Sequence, residues 1–331
     1  MNKNNNYLPY IILAIVSVLW VIMFPYFRED FLTQFYYMPF LGIIGATVAN
    51  TTPAAAGIVY FPILTKLQID PVTAVQFSMI IQAYGMGLGS LRWLIVNKRL
   101  FIVNVIPICL VGGVAGVFIS TVFVPIDNPA VLTLIFNIIA FGCTQVIFFS
   151  ILFKHKYPNI SIKLTLNSIS ILLFFSLLGG LITGWIGFGI DTMFYFILTV
   201  VFKINPAISI VTSIFLMAAV SFAGTLLNII FNEIPYSLWY SAIPGVTIAS
   251  LFLAAYLATK IGAKNVLILF TTILSIDFFM TLWTQHVIPM SQAIRMMVTY
   301  ILIVYLLFIH VKIFKQSYKQ INVDLGEFKK R

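Results

Sequence analysis

Gly45-Ala-Thr-Val-Ala-Asn50-Thr-Thr-Pro53-Ala-Ala-Ala-Gly57-Ile-Val-Tyr-Phe-Pro62-Ile-Leu-Thr-Lys-Leu67-Gln-Ile-Asp70-Pro71 is an apolar stretch that interrupts itself. Ala46 to Ala49 reads as the end of one short helix, Asn50 to Pro53 as a stop followed at once by a start, and Ala54 to Leu67 as a second short helix. Threonine can cap free N–H groups, and proline at the first helical position gives up a donor that would be unpaired anyway. A helix of that second arm's length spans only about 21 Å, against a hydrocarbon core of about 30 Å. Broken backbone at bilayer depth is tolerated only where it lines a cavity or is buried in protein. The stretch is therefore expected to be a re-entrant hairpin and one half of a binding site.

The surrounding chain has the composition such a hairpin needs. Of 331 residues, 61% are hydrophobic and 8% charged, with mean hydropathy +1.06. Soluble domains carry about 25% charged residues, so this is expected to be an all-α polytopic membrane protein, residues 1–331 forming a single membrane domain. The net charge of +10 belongs to short loops and tails, where Lys and Arg set topology, so no nucleic-acid partner is implied. Cys109 and Cys143 fall inside apolar helices and read as packing residues, and the three histidines are scattered. No zinc or haem motif and no cofactor is indicated. No H-E-x-x-H, G-x-S-x-G or spaced acid pair is present, so no enzymatic activity is expected.

Apolar runs lie at 7–27 (closed by Pro25 and the patch Arg28-Glu29-Asp30), 71–96, 101–122, 128–153, 206–231, 236–259, 264–285 and 292–314. A second broken segment spans 163–202 and contains Gly179, Gly180, Gly184, Gly187 and Gly189. Lys98 and Arg99, Lys154 to Lys163, Lys260 and Lys264, and Lys312 to Lys319 form four basic clusters, which the positive-inside rule places in the cytoplasm. These sides agree with each other if both broken segments enter and leave on one face. The result is about eight full crossings plus two hairpins, both termini cytoplasmic, and a tail at 315–331.

The two broken segments also match one another. Ile69-Asp70-Pro71 and Ile204-Asn205-Pro206 lie 135 positions apart, and at that shift Gly45 meets Gly180, Tyr60-Phe61 meets Tyr195-Phe196, and Ser78 meets Ser213. Lys98-Arg99 falls on Asn232-Glu233, so loop charge changes sign. That is the pattern of two copies inserted in opposite directions, repeat one at about 7–122 and repeat two at about 142–258, with two extra C-terminal helices at about 264–314. Paired broken helices in inverted repeats point to a secondary transporter with a midplane site.

If the hairpins dip in from opposite faces, their breaks meet. Helix starts there offer free N–H groups and partial positive charge to a small anion. The expected substrate ligands are Asn50, Thr51 and Thr52 on the first break, Gly187 and Gly189 on the second, Ser78 and Gln82 on one following helix, and Thr212 and Ser213 on the other, with Ser221 further along. The small residues could equally serve helix packing, and Gln82 a plain interhelical hydrogen bond. Asp191, at the start of the second arm, is the expected coupling residue, since intramembrane carboxylates commonly carry protons or cations. Asp277 is a second intramembrane acid of open role. Arg92-Trp93 reads as an interfacial anchor. The alternative function is a cation-conducting transporter or channel using Asp191.

The motifs Asn50-Thr-Thr-Pro53 through Gly57-Ile-Val-Tyr-Phe-Pro62, Asp70-Pro71, Gln82-Ala-Tyr-Gly-Met-Gly-Leu-Gly-Ser-Leu-Arg-Trp93, Gly184-Trp-Ile-Gly-Phe-Gly-Ile-Asp191 and Thr212-Ser213 resemble the sulfite exporter TauE/SafE family (the TSUP family). The resemblance covers about residues 36–307. It implies a plasma-membrane transporter, usually an exporter, for sulfite, sulfoacetate or related organosulfonates. Ala54-Ala55-Ala56 stand where the family commonly has a glycine cluster, a departure that bears on substrate more than on fold.

Overall fold

In the computed structural model, residues 7–126, 128–152, 159–232, 234–258 and 260 are described, with single helical positions between 265 and 311. Six helices among them are long and apolar enough to cross a membrane, and the described residues form no strand beyond one isolated bridge between Asn159 and Ile204. The protein is an all-α polytopic membrane protein.

The first helix, α1 (Leu8–Thr33), continues through Pro25 and past the expected end at Phe27. Proline deletes one N–H but does not forbid continuation, and Arg28 to Asp30 are ordinary helix residues when exposed. Closure comes later: Thr33 Oγ1 donates to Glu29 O, and the Gln34 and Phe35 amides both donate to Asp30 O.

The first broken segment becomes α2 (Met38–Thr51) and α3 (Gly57–Lys66). The second arm starts at Gly57, three residues after the expected Ala54. Thr52 is extended, its hydroxyl donating to Val48 O at 2.8 Å and accepting from Ala54 N at 3.3 Å. It therefore closes the first arm, and Pro53 does not open the second. The arms double back: the Tyr60 hydroxyl reaches Gly42 O at 3.4 Å, and its ring lies against Gly45. Gly42 lies about 13 Å down α2 from Thr51 at the helical rise, so collinear arms could not make this contact.

Two 26-residue helices, α4 (Pro71–Val96) and α9 (Pro206–Phe231), match their expected bounds and start alike. Asp70 accepts from the Val72 and Thr73 amides, Asn205 from the Ala207 amide. These are side-chain caps followed by proline, where the missing donor costs nothing. Immediately upstream, Gln68 (φ 64°) and Lys203 (φ 52°) are the two non-glycine residues of positive φ among those described. They too stand 135 positions apart.

Between these helices lie α5 (Ile106–Phe118), with a π-helical turn at Ile119–Phe123, α6 (Pro129–Leu152), α7 (Leu166–Ile186) and α8 (Ile190–Phe196), with a π-helical turn at Ile197–Val201. The Asn205 amide donates to Asn159 O, and Asn159 Nδ2 to Phe202 O, so the end of this segment returns to the residues that precede α7. At 21 residues α7 is long enough to cross a membrane unaided, unlike the 14-residue α2. After α9 come α10 (Tyr236–Ile248), a π-helical turn at Ala249–Leu253, and α11 (Ala254–Leu257).

The chain divides into two compact units. In the first (Met1–Phe136 and Lys156–Leu267), α4 and α9 pack antiparallel. Met79, early in α4, meets Gly224 and Asn228, late in α9, while Leu100 and Ile102, after α4, meet Thr212. Helix α5 packs on α7 through Gly113 against Gly180 and Gly116 against Leu181. Helix α2 packs on α10 through Gly42 against Ala242. Small residues let membrane helices approach this closely. In the second unit (Asn137–His155 and Ile268–Arg331), Phe141 stacks on Phe278 and the Tyr305 hydroxyl donates to Gln145 Oε1. Asp277 and most of the expected last two helices and tail lie outside the described residues.

Candidate functional site

The two breaks touch. Thr192 Oγ1, on α8, donates to Pro53 O in the first break at 2.8 Å. Gly57, the first residue of α3, lies so close to Gly187 that a Cβ there would stand 2.8 Å from Gly187 O. Gln82, midway along α4, donates from Nε2 to the same Gly187 O at 2.7 Å. Interhelical hydrogen bonds in membranes are worth roughly 0.6–2 kcal/mol each. Two of them order this junction without locking it.

Each break has its own local cause. In the second, Gly187 (φ 77°) ends α7 as a left-handed cap and Gly189 (φ 143°) turns the chain into α8. Only glycine takes both conformations without strain. Thr183 closes the turn, its hydroxyl accepting from the Ile190 amide at 3.0 Å. In the first, Asn50 donates from Nδ2 to Ala46 O, to Gly85 O and to Ser250 Oγ of the π-helical turn. The Asn50 carbonyl accepts from Trp93 Nε1 at 3.0 Å.

Helix α4 serves both breaks. Val75 and Ser78 lie against Gly187, and Gln82 bonds it, while Gly85, Gly89 and Trp93 meet Asn50. These positions repeat at helical spacing on one face. Trp93 is buried, so the expected interfacial anchor holds for neither its ring nor its N–H.

Asp191 is fully buried in the first turn of α8. Backbone N–H groups of Thr192, Gly189, Asp191 and Ala55 surround its carboxylate, yet none makes a hydrogen bond of good geometry to either oxygen. Ala55 belongs to the first break, so this one acid faces both. Asn50 Oδ1 and Gln82 Oε1 are likewise buried without partners. The unpaired side-chain atoms among these three residues are all acceptors.

The other expected ligands divide. Thr51 and Thr52 are buried at the first break, but their hydroxyls donate back to Thr47 O and Val48 O. Ser78 and Ser213 are fully buried and bond within their own helices, to Ala74 O and Ile210 O. The hydrogen bonds of Thr212 go to neither break. Its hydroxyl donates to Ile208 O and accepts from the Ile102 amide, tying the α4–α5 connection to α9. Near the N-terminal end of α9, it meets that connection and not Gln82. Missed by sequence reasoning were Thr183, Ser250, Trp93 and the Pro53 carbonyl. For Trp93 a signal existed, because at the shift of 135 it matches Asn228 while Trp185 matches Asn50. No group of three His, Cys, Asp or Glu side chains that could hold a metal ion gathers among the described residues.

A family model described as sulfite exporter TauE/SafE matches residues 38–281 of the chain. That span runs from the start of α2 past α11 and takes in both breaks. No curated protein and no solved structure matches it.

Proposed function

We infer the function from one premise: the chain belongs to the sulfite exporter TauE/SafE family and is a multi-pass membrane transporter. It is a secondary transporter of a small sulfur-containing oxyanion such as sulfite or an organosulfonate, working as an exporter in the plasma membrane with both termini cytoplasmic. The substrate binds where the two breaks meet, between inverted repeats. The observation that carries this reading is the contact of the breaks through Thr192 and Pro53, where Asp191 also meets the Ala55 backbone and Gln82 the Gly187 carbonyl.

The backbone N–H groups around Asp191 are what an anion would seek. The carboxylate now stands among them, so an incoming oxyanion must compete with it. Protonation, or pairing with a cation, removes the repulsion and leaves those donors to the substrate. Coupling therefore resides at Asp191. Asn50, Thr51, Thr52, Gly187 and Gly189 form the walls, and Ser78 and Gln82 brace the second break. Ser213 lines α9, and Thr212 anchors a loop.

The test is flux. Purified protein in proteoliposomes is expected to move sulfite or a sulfonate, and to bind it in a thermal-shift screen of sulfur oxyanions. Absence of both flux and binding across that panel sinks the substrate assignment. One observation favours a second reading, a cation transporter: the unpaired atoms of Asn50, Gln82 and Asp191 are all acceptors. Sodium or proton flux that needs no anion would favour it.

A further inference from the structure

Away from the contact of the two breaks, a cavity of mixed polarity lies among the described residues. It measures about 60 Å³ and is walled in part by Gln76, Thr121, Gly184, Trp185, Asn228 and Asn232. That is room for a few water molecules, and Thr121 Oγ1 is buried without a protein partner. The cavity lies beside the second break. Gly184 is in the last turn of α7, and Val75, another wall, has its carbonyl 3.3 Å from where a Cβ on Gly187 would stand. Two of its walls are exposed, Pro125 and Asn232, the latter in the turn after α9.

The repeat predicts a matching place at the first break. At the shift of 135, Trp185 corresponds to Asn50 and Asn228 to Trp93. Ser120 corresponds to Ser250 at 130, the shift that relates α5 and its π-helical turn to α10 and its own. An Asn and a Trp thus occur in both places with their positions exchanged. Trp185, on the hairpin, donates its ring N–H to Val124 O at 2.7 Å, and the smaller Asn228 leaves the space open. In the other copy the indole is on α4. Trp93 is buried against the hairpin and donates to Asn50 O, while Asn50 holds Ser250. Because α4 and α9 run antiparallel, the cavity lies by the start of α4 and Trp93 by its end.

We propose that the cavity is an open vestibule through which a small hydrophilic solute reaches the junction from one face, and that Trp93, bonded to Asn50, is the closed gate of the opposite face. The proposal rests on the transporter reading above. The cavity's lining sets amide, hydroxyl and indole groups beside apolar side chains and carries no charged side chain, which suits passage of an anion with some water still attached. Opening the far face requires Trp93 to leave the Asn50 carbonyl.

The test uses the full-length chain with Cys109→Ala and Cys143→Ala, carrying either Thr121→Cys or Ser250→Cys, and a water-soluble charged thiol reagent followed by mass spectrometry. Thr121→Cys is expected to react and Ser250→Cys to resist. Adding Trp93→Phe, which keeps an aromatic ring in place but removes the donor, is expected to speed labelling of Ser250→Cys about tenfold, the change that loss of one hydrogen bond makes to an opening equilibrium. Trp93→Ala should raise it further. Thr121→Cys as inert as Ser250→Cys, or no effect of Trp93→Phe, overturns the proposal. Labelling needs no substrate, so it decides the gate whether or not sulfite moves, and flux alone decides the transport reading.

Discussion

A fully buried carboxylate with no well-formed hydrogen bond is expensive inside a membrane. Asp191 persists in that condition although asparagine would occupy the same space without charge. If its ionisation couples transport, Asp191→Asn is expected to lose the pH dependence of sulfite flux and most of the flux itself. The same variant should melt no lower than the parent, because it removes a buried charge and leaves no partner stranded. An unchanged pH profile would remove Asp191 from coupling, and a large drop in melting temperature would mark it as structural. At this scale the sequence made Asp191 and Gln82 visible because a charged or amide side chain in an apolar helix wants a partner, which for Gln82 is the Gly187 carbonyl. Trp93 stayed hidden, since a tryptophan beside an arginine near a helix end reads as an interfacial belt. What it bonds is a backbone carbonyl, which no side-chain pattern reveals. For Thr212 the residue type suited a ligand, and its hydroxyl bonds the backbone of residues 100–102 and of Ile208.

At the scale of elements, the bounds of α4 and α9 could be read directly, because Asp70-Pro71 and Asn205-Pro206 are caps whose chemistry is local. The break between α2 and α3 could be read only in part. A Thr-Pro step can open a helix, but it can equally close one, and here Thr52 spends its hydroxyl on Val48 O. Tertiary contact decides: α3 begins at Gly57 because only a residue without a Cβ fits beside Gly187. Gly57→Ala would place a methyl group 2.8 Å from Gly187 O and 3.1 Å from Gln82 Nε2. Overpacking of this kind costs about 1–3 kcal/mol, and the displaced break should also slow transport. Gly87→Ala, in α4 with nothing within 4 Å of the added Cβ, is expected to be neutral or to stabilise by up to about 1 kcal/mol, from helix propensity. Thermal melts of the two variants side by side check this. Equal stability would mean that the breaks are not packed against one another.

For the whole molecule, the sequence offered a shift of 135 and an exchange of loop charge. The exchange of loop charge pointed to reversed rather than tandem copies, while the identities at that shift carried less, because apolar composition supplies many of them by chance. The antiparallel pairing of α4 with α9 bears on that choice. Copies related by an axis along the membrane normal keep equivalent helices parallel, whereas copies related by an axis in the membrane plane reverse them. Cross-packing agrees: α2 sits on α10 and α7 on α5, each hairpin's first arm against the last helix of the other copy. An in-plane axis puts Lys98, after α4, and Asn232, after α9, on opposite sides of the bilayer, and the positive-inside rule makes the Lys98 side cytoplasmic. In whole cells expressing single-cysteine variants on a cysteine-free background, a membrane-impermeant reagent should label Asn232→Cys from outside. Lys98→Cys should react only after permeabilisation. Labelling of both from the same side would abolish the inverted repeat, and with it the placing of the vestibule and the Trp93 gate on opposite faces.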